Sequence, residues 1–313
     1  MSDLLTRHAA QLLTEWFNQR YGRSFSLTDE AARDGETPVL LVVEGEYRLA
    51  LAVVPLYQTE GPAGWRDGLD ILEARLSAGR SGAYLLWVPP GASPPSEEPL
   101  ASDFIYRVLM ATSSLSPGDR AEVQLPVRLA LGKLRDEGSY VSVQGGLVRW
   151  WSHISEGVTG SYHLDSTALR RLPAGEEARQ TIFRRIAEAT AGLNPGEVVT
   201  FEAVDAWTVQ RLREGNGVAL AAGPPDTDPS DGIALRRLLR KRLVAANAAL
   251  DAIDAHLKGV ALVGIYEYIE EERAGAAIKA FDPALHSRLD LVCVLADGEV
   301  RPIFLPRSLP WAG

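Results

Sequence analysis

The stretch Thr37–Tyr57, TPVLLVVEGEYRLALAVVPLY, constrains the fold most. Two apolar runs, Val39–Val43 and Tyr47–Leu56, flank a polar turn at Glu44–Glu46. That reads as two strands of one hairpin. The second run is apolar almost without a break. A strand with one wet face alternates, whereas an unbroken apolar run belongs to a strand covered on both faces. The chain must therefore lay other elements on both sides of this strand. Pro55 falls at its end, where a missing N–H breaks no ladder bond.

The rest of the chain supplies such elements. Asp3–Arg20 carries Leu4, Leu5, Ala9, Leu12, Leu13, Trp16 and Phe17 at helical spacing. Ser24–Thr28 reads as a short strand, and Asp34-Gly35 as a turn. Trp65–Ala78 reads as a helix, Gly82–Val88 as a strand, and Asp103–Ser113 as a helix capped by Ser102. From Ser116 the texture changes. Glu122–Leu134, Ser139–Val143, Leu147–Ile154 and Ser161–Leu164 read as strands. Glu176–Ala191 and Phe201–Arg213 read as helices, the second capped by Thr200. Gly223–Pro229 reads as a linker before the long helix Ile233–Lys258. Val260–Tyr268 is strand-like, and Leu289–Leu295 with Glu299–Leu305 makes a hairpin around Asp297-Gly298.

The expected fold class is α/β, with a mixed sheet and some α+β character. The expected segments are an α/β domain over 1–115, a β-rich segment with helices over 116–222, and a long helix with a β-hairpin over 223–313. The third segment is free to pack as one unit with the middle.

The first 90 residues run helix, strand, strand, strand, helix, strand. That order resembles the PD-(D/E)XK, or restriction endonuclease-like, superfamily. The resemblance implies an acid opening the middle strand of three, and an acid, a spacer and a lysine on the next strand. Such carboxylates hold Mg²⁺ while the lysine polarises the attacking water. Here Pro38-Val39 stands in the place of Pro-Asp, and Ala52-Val53-Val54 in the place of Glu-x-Lys. Aliphatic side chains offer no oxygen ligand, so the resemblance implies a degenerate site with no cofactor. Glu15, on the first helix, matches an accessory acid of some members. With Glu270 and Asp290 it makes up a reserve set of metal ligands. A divergent Mg²⁺-dependent nuclease or hydrolase with migrated carboxylates is the alternative that would use them.

Other chemistries find little support. No GxxxxGK[ST], GxGxxG, HExxH or GxSxG pattern occurs. The five histidines are His8, His153, His163, His256 and His286. His163 and Asp165, two apart, share a face in an extended segment with His153 nearby in sequence, and Asp251, Asp254 and His256 fall near the end of the long helix; exposed loop residues and a solvated helix face are the expected readings. The one cysteine, Cys293, lies in an apolar run and reads as inert packing. It permits no intrachain disulfide and fits a reducing, cytoplasmic setting. The first residues carry an acid at position 3 and no long apolar core, and no run reaches membrane-span length. A homodimer is the base-rate expectation for assembly.

A basic face is the remaining feature. Arg236, Arg237, Arg240, Lys241 and Arg242 fall within seven residues, in a chain of net charge -9. Leu235, Leu238, Leu239, Leu243, Ala246, Leu250 and Ile253 form the opposing apolar stripe. Arg236, Arg237, Arg240 and Lys241 are therefore expected to project outward, as a surface for nucleic acid or an acidic protein partner. Trp150-Trp151, expected on a strand, would point to opposite faces. The combined expectation is a non-catalytic binding or scaffolding protein.

Overall fold

The computed structural model describes residues 3–32, 37–56, 64–89, 91–224, 232–264, 287–306 and 309. The chain forms two compact units, one of residues 1–121 with 208–313 and one of residues 122–207.

The first unit begins with α1 (Asp3–Tyr21), β1 (Ser26–Ala32), β2 (Val39–Glu44), β3 (Tyr47–Pro55), α2 (Trp65–Ser77), β4 (Ala83–Trp87) and α3 (Leu100–Thr112). β5 (Arg120–Arg135) leads out of it. The second unit holds β6 (Ser139–Gly145), a 3-10 turn (Val148–Trp150), α4 (Trp151–Ser155), β7 (Gly160–Ser166) and α5 (Glu176–Ala191). β8 (Val198–Arg211) leads back to β9 (Gly217–Ala221), α6 (Gly232–Asp251), β10 (Leu257–Val263), β11 (Leu291–Ala296) and β12 (Glu299–Phe304).

The first unit carries a mixed sheet in the order β1-β2-β3-β10-β11-β12. β1, β2 and β3 pair antiparallel, β3, β10 and β11 run parallel, and β12 returns antiparallel. The unbroken apolar run is accounted for by its two faces. Leu49, Leu51 and Val53 pack with Leu5, Ala9, Leu13 and Phe17 of α1. Ala50, Ala52 and Val54 pack with Leu239, Leu243, Ala246 and Leu250 of α6. Burying each large aliphatic side chain contributes about 1.5–3 kcal/mol before entropy is counted. Small residues on the second face let the α6 backbone approach closely.

The strand read at Gly82–Val88 forms, but not beside β3. β4 pairs in parallel with β9 and antiparallel with Thr208–Arg211 of β8. The place beside β3 goes to β10, which runs parallel to it with α6 packed over the shared face. The C-terminal strands therefore belong with the N-terminal hairpin. The outer edge of β9 is sealed by α2. Ser77 Oγ accepts the Val218 N–H at 2.8 Å, and Glu73 Oε1 accepts the Leu220 N–H at 2.9 Å. Both would otherwise be open edge donors.

In the second unit the strand order is β6-β7-β5-β8. β6 and β7 are parallel, and β7 and β5 antiparallel. Leu129, Leu131, Val141, Tyr162, Leu164, Ile182, Phe183 and Ile186 form the core. Asp205 is 3% exposed. Its carboxylate accepts the N–H groups of Arg170 and Arg171 and the indole N–H of Trp207 at 2.7–2.9 Å. Burial still pushes its carboxyl above the ordinary range.

Two element assignments are corrected here. The segment read as a helix over Phe201–Arg213 is strand as far as Arg211, where β8 ends. In Val198–Val204, Val199, Phe201 and Ala203 face the core while Val198, Thr200 and Glu202 do not, a period of two. Leu147–Ile154 is the 3-10 turn and α4, not a strand. Gly145 (φ 95) turns the chain, and a Cβ on Gly146 would meet the Leu169 carbonyl oxygen at 2.1 Å. That close backbone approach ends β6.

Candidate functional site

The positions matched to the nuclease motif lie together. Val39 and Ala52 are cross-strand Cα partners in the β2–β3 ladder. Val54, two residues on, shares Ala52's face. The three are 1%, 0% and 2% exposed. They belong to the cluster that includes Leu239 and Leu243 of α6. Oxygen ligands at 39 and 52 would converge on one point. Aliphatic groups converge there instead, and α6 lies over them, so no open groove remains at these positions.

The reserve acids serve backbone amides. Glu15 Oε1 accepts the Arg213 N–H at 2.7 Å and the Gln11 side-chain amide at 3.1 Å. Burial nonetheless pushes its carboxyl up. Asp290 Oδ2 accepts the Lys258 N–H at 2.8 Å, while the Asp290 N–H donates to the Lys258 carbonyl at 2.8 Å. It fastens the start of β11 to β10. Glu270 lies outside the described residues, as do Glu267, Glu271, Glu272, Lys279 and His286. Among the described residues no three His, Cys, Asp or Glu side chains gather as a metal site.

The described histidines and the cysteine are engaged in packing or local bonds. His8 is 3% exposed, with Nε2 3.2 Å from the Gly217 carbonyl oxygen. Burial lowers its pKa. His256 Nδ1 accepts the Arg48 N–H at 3.1 Å. His153 stacks edge-on to Phe183 at 4.8 Å. Asp165, beside His163, spends Oδ1 on the Thr167 N–H and hydroxyl. Cys293 is wholly buried, which pushes its thiol far above the usual range and leaves no reactive thiolate.

Arg236, Arg237, Arg240 and Lys241 are exposed, while Leu239, Leu243, Ala246 and Leu250 are buried. Among the described residues none of the four pairs with an acid. Arg236–Arg240 and Arg237–Lys241 are like-charge pairs one turn apart, each costing about 0.2–0.5 kcal/mol. Folding gives no reason for this arrangement. Val244, 43% exposed, adds an apolar contact among the cations.

Two further groupings were not legible beforehand. Trp150 and Trp151 sit where the 3-10 turn meets α4, and both are exposed rather than split between two faces. Trp150 leans on Phe183 at 5.5 Å between ring centroids. In the first unit, the β4–β8 register sets Arg211 opposite Tyr84. The Arg211 and Arg80 guanidinium carbons stand 5.8 and 5.2 Å from the Tyr84 ring centroid. Tyr84 is 6% exposed. Gly82 lies beside Arg211 with φ 91, a backbone conformation that favours glycine.

No family model matches the chain, and neither a curated protein nor a solved structure matches it.

Proposed function

We propose that this chain is a non-catalytic binding protein on a degenerate restriction endonuclease-like core, and that it meets a polyanionic partner through the outer face of α6. One observation carries the reading. α6 lays its apolar stripe over Val39, Ala52 and Val54 and turns Arg236, Arg237, Arg240 and Lys241 outward. The same helix thus fills the place of the motif and supplies the contact surface. The core assignment is supported by element order. With α2 to β9 inserted between β3 and α6, the elements α1, β1, β2, β3, α6 and β10 give a helix, three strands, helix, strand order, and the four strands are neighbours in one sheet. α6 and β10 take the roles that the local reading gave to 65–78 and 82–88.

Four cations on one helix face suit a phosphate backbone or a carboxylate-rich protein surface, read by charge rather than by sequence. The test is fluorescence anisotropy of a labelled DNA duplex with the full chain in Mg²⁺, titrated across salt, with polyglutamate as a second probe. The expected result is binding to an intact duplex with a log–log salt slope of about -3 to -4, roughly a hundredfold weaker at 200 than at 50 mM salt. Reversing Arg236, Arg237, Arg240 and Lys241 to Glu removes it. Preference for polyglutamate would make the partner an acidic protein. Salt-independent binding to either probe would refute the α6 surface. Mg²⁺- or Mn²⁺-dependent cleavage that disappears in Glu15→Ala or Glu270→Ala would refute the non-catalytic reading and restore the divergent nuclease.

A further inference from the structure

We propose that the partner seated on α6 is an acidic amphipathic protein helix rather than a nucleic acid. The inference rests on the reading of α6 as a contact surface, and it names the occupant. Arg236, Arg237, Arg240 and Lys241 occupy only the first half of the outward face. The second half is uncharged. Leu243–Leu250, LVAANAAL, holds no ionisable group in a chain of which 23% is charged. Leu243, Ala246 and Leu250 are buried there, whereas Val244 is 43% exposed and Ala248 is exposed. A helix with one wet face carries charged or polar groups on it, and a helix apolar all round is a covered one. Exposed alanine alone would mean little, since alanine is the best helix former. Val244 is different. Valine restricts χ1 and is a poorer helix former, and on a wet face it gains nothing from burial. It stands one turn on from Arg240 and Lys241 and one turn before Ala248, so the cations and the aliphatic groups share one continuous face.

The chemistry of the cover follows from the two halves. Four outward cations call for anionic groups. Val244 and Ala248 call for aliphatic groups, about 5–11 Å further along the helix axis. A nucleic-acid strand carries a phosphate at every step. A strand following α6 would set charge against Val244 and Ala248, where no side-chain donor answers it. Surfaces that bind nucleic acid are more polar and more positive than this second half. A protein helix, by contrast, can pass from acidic to apolar within one turn. It docks through apolar anchors at i, i+3, i+4 and i+7, which the second half of α6 can meet. Small side chains at Ala245, Ala248 and Ala249 let its axis approach to about 8 Å, the near end of the usual range. The occupant is therefore a helix with carboxylates over Arg236–Lys241 and an aliphatic stripe over Val244 and Ala248.

The experiment is fluorescence anisotropy of the full chain with three labelled probes, at about 150 mM salt and again at high salt. The first probe is a helical peptide of about 20 residues, with two turns of Glu followed by Leu at i, i+3, i+4 and i+7. The second is a scrambled peptide of the same composition, and the third a DNA duplex. The expected result is that the patterned peptide binds at least tenfold tighter than either of the others, with all three weakened by salt. Val244→Asn combined with Ala248→Gln is expected to remove that advantage and leave duplex binding unchanged, since the cations are kept. Both positions are exposed, and the comparison of the two peptides needs no variant. Equal, salt-sensitive binding of the two peptides would overturn the helical partner and leave the cationic surface standing. A duplex bound tighter than the patterned peptide would make the partner a nucleic acid and overturn it likewise. A dimer in sedimentation that the double variant dissociates would make the cover a second copy, which also overturns it. Binding of none of the probes, or binding indifferent to salt, would sink the α6 surface itself.

Discussion

Ala52→Glu places an acid in the sealed face of β3. Ala52 has no exposed surface, faces Val39 across the ladder and lies in the cluster with Leu239 and Leu243 of α6. An ionised carboxylate there has neither water nor a partner, so the group escapes by taking up a proton. Holding it neutral at pH 7, nearly three units above its ordinary value near 4.3, costs about 4 kcal/mol at 1.36 kcal/mol per unit. Forcing the longer side chain into a packed site adds about 1–3 kcal/mol. The sum, about 5–7 kcal/mol, approaches the whole stability of a typical domain, about 5–15 kcal/mol. The sign with pH follows. The folded state holds the proton to higher pH than the unfolded chain, so the destabilisation is smaller near pH 4 and grows as pH rises towards 7. Urea unfolding followed by tryptophan fluorescence at pH 5 and pH 7 measures it. A variant within about 1 kcal/mol of the native chain at both pH values, and stabilised by Mn²⁺, would refute the buried-site argument, since substitutions at open surface positions usually stay within about 0.5 kcal/mol.

Other consequences concern the scaffold. Asp205→Asn is expected to lose about 1.5–3 kcal/mol through weakened bonds to the Arg170, Arg171 and Trp207 N–H groups. Because burial raises the Asp205 carboxyl above its unfolded value, its contribution to stability falls as pH rises through the window above the ordinary carboxylate range. That component of the pH–stability profile is expected to vanish in the Asn variant, and an unchanged profile would contradict it. Glu73→Ala leaves the Leu220 N–H without its acceptor on the β9 edge. The expected cost is about 1–3 kcal/mol, with increased light scattering on mild heating as the edge opens.

Much of the local structure was legible because it is written in periodicity. The apolar stripe of α6 and its outward cations follow from spacing alone. The β11–β12 turn follows from Asp297-Gly298, whose φ values of 53 and 77 are those the dipeptide favours. β8 was misread because Phe201, Val204 and Trp207 recur every three residues and mimic a helix, whereas pairing beside β5 decides for strand. The neighbour of β3 was misread for a different reason. Adjacency in sequence, with a helix at 65–77 between, favours 83–87, whereas the observed neighbour is set by a parallel register that joins Leu49–Pro55 to Leu257–Val263, far apart in the chain. The basic face could be read from one helix, while the Arg80–Tyr84–Arg211 grouping could not. It exists only through the β4–β8 register, which joins residues far apart in the chain.

The face of β3 formed by Ala50, Ala52 and Val54 is sealed beneath α6. Thiol labelling of Ala52→Cys tests it most directly, with the buried Cys293 as an internal reference and Ser24→Cys as an exposed one. Cys293 and the thiol at position 52 are expected to stay unmodified in the native protein and to react together only on unfolding, while the thiol at 24 reacts at once. Native-state labelling at 52 as fast as at 24 would mean that the face is open to solvent and that α6 does not seal it.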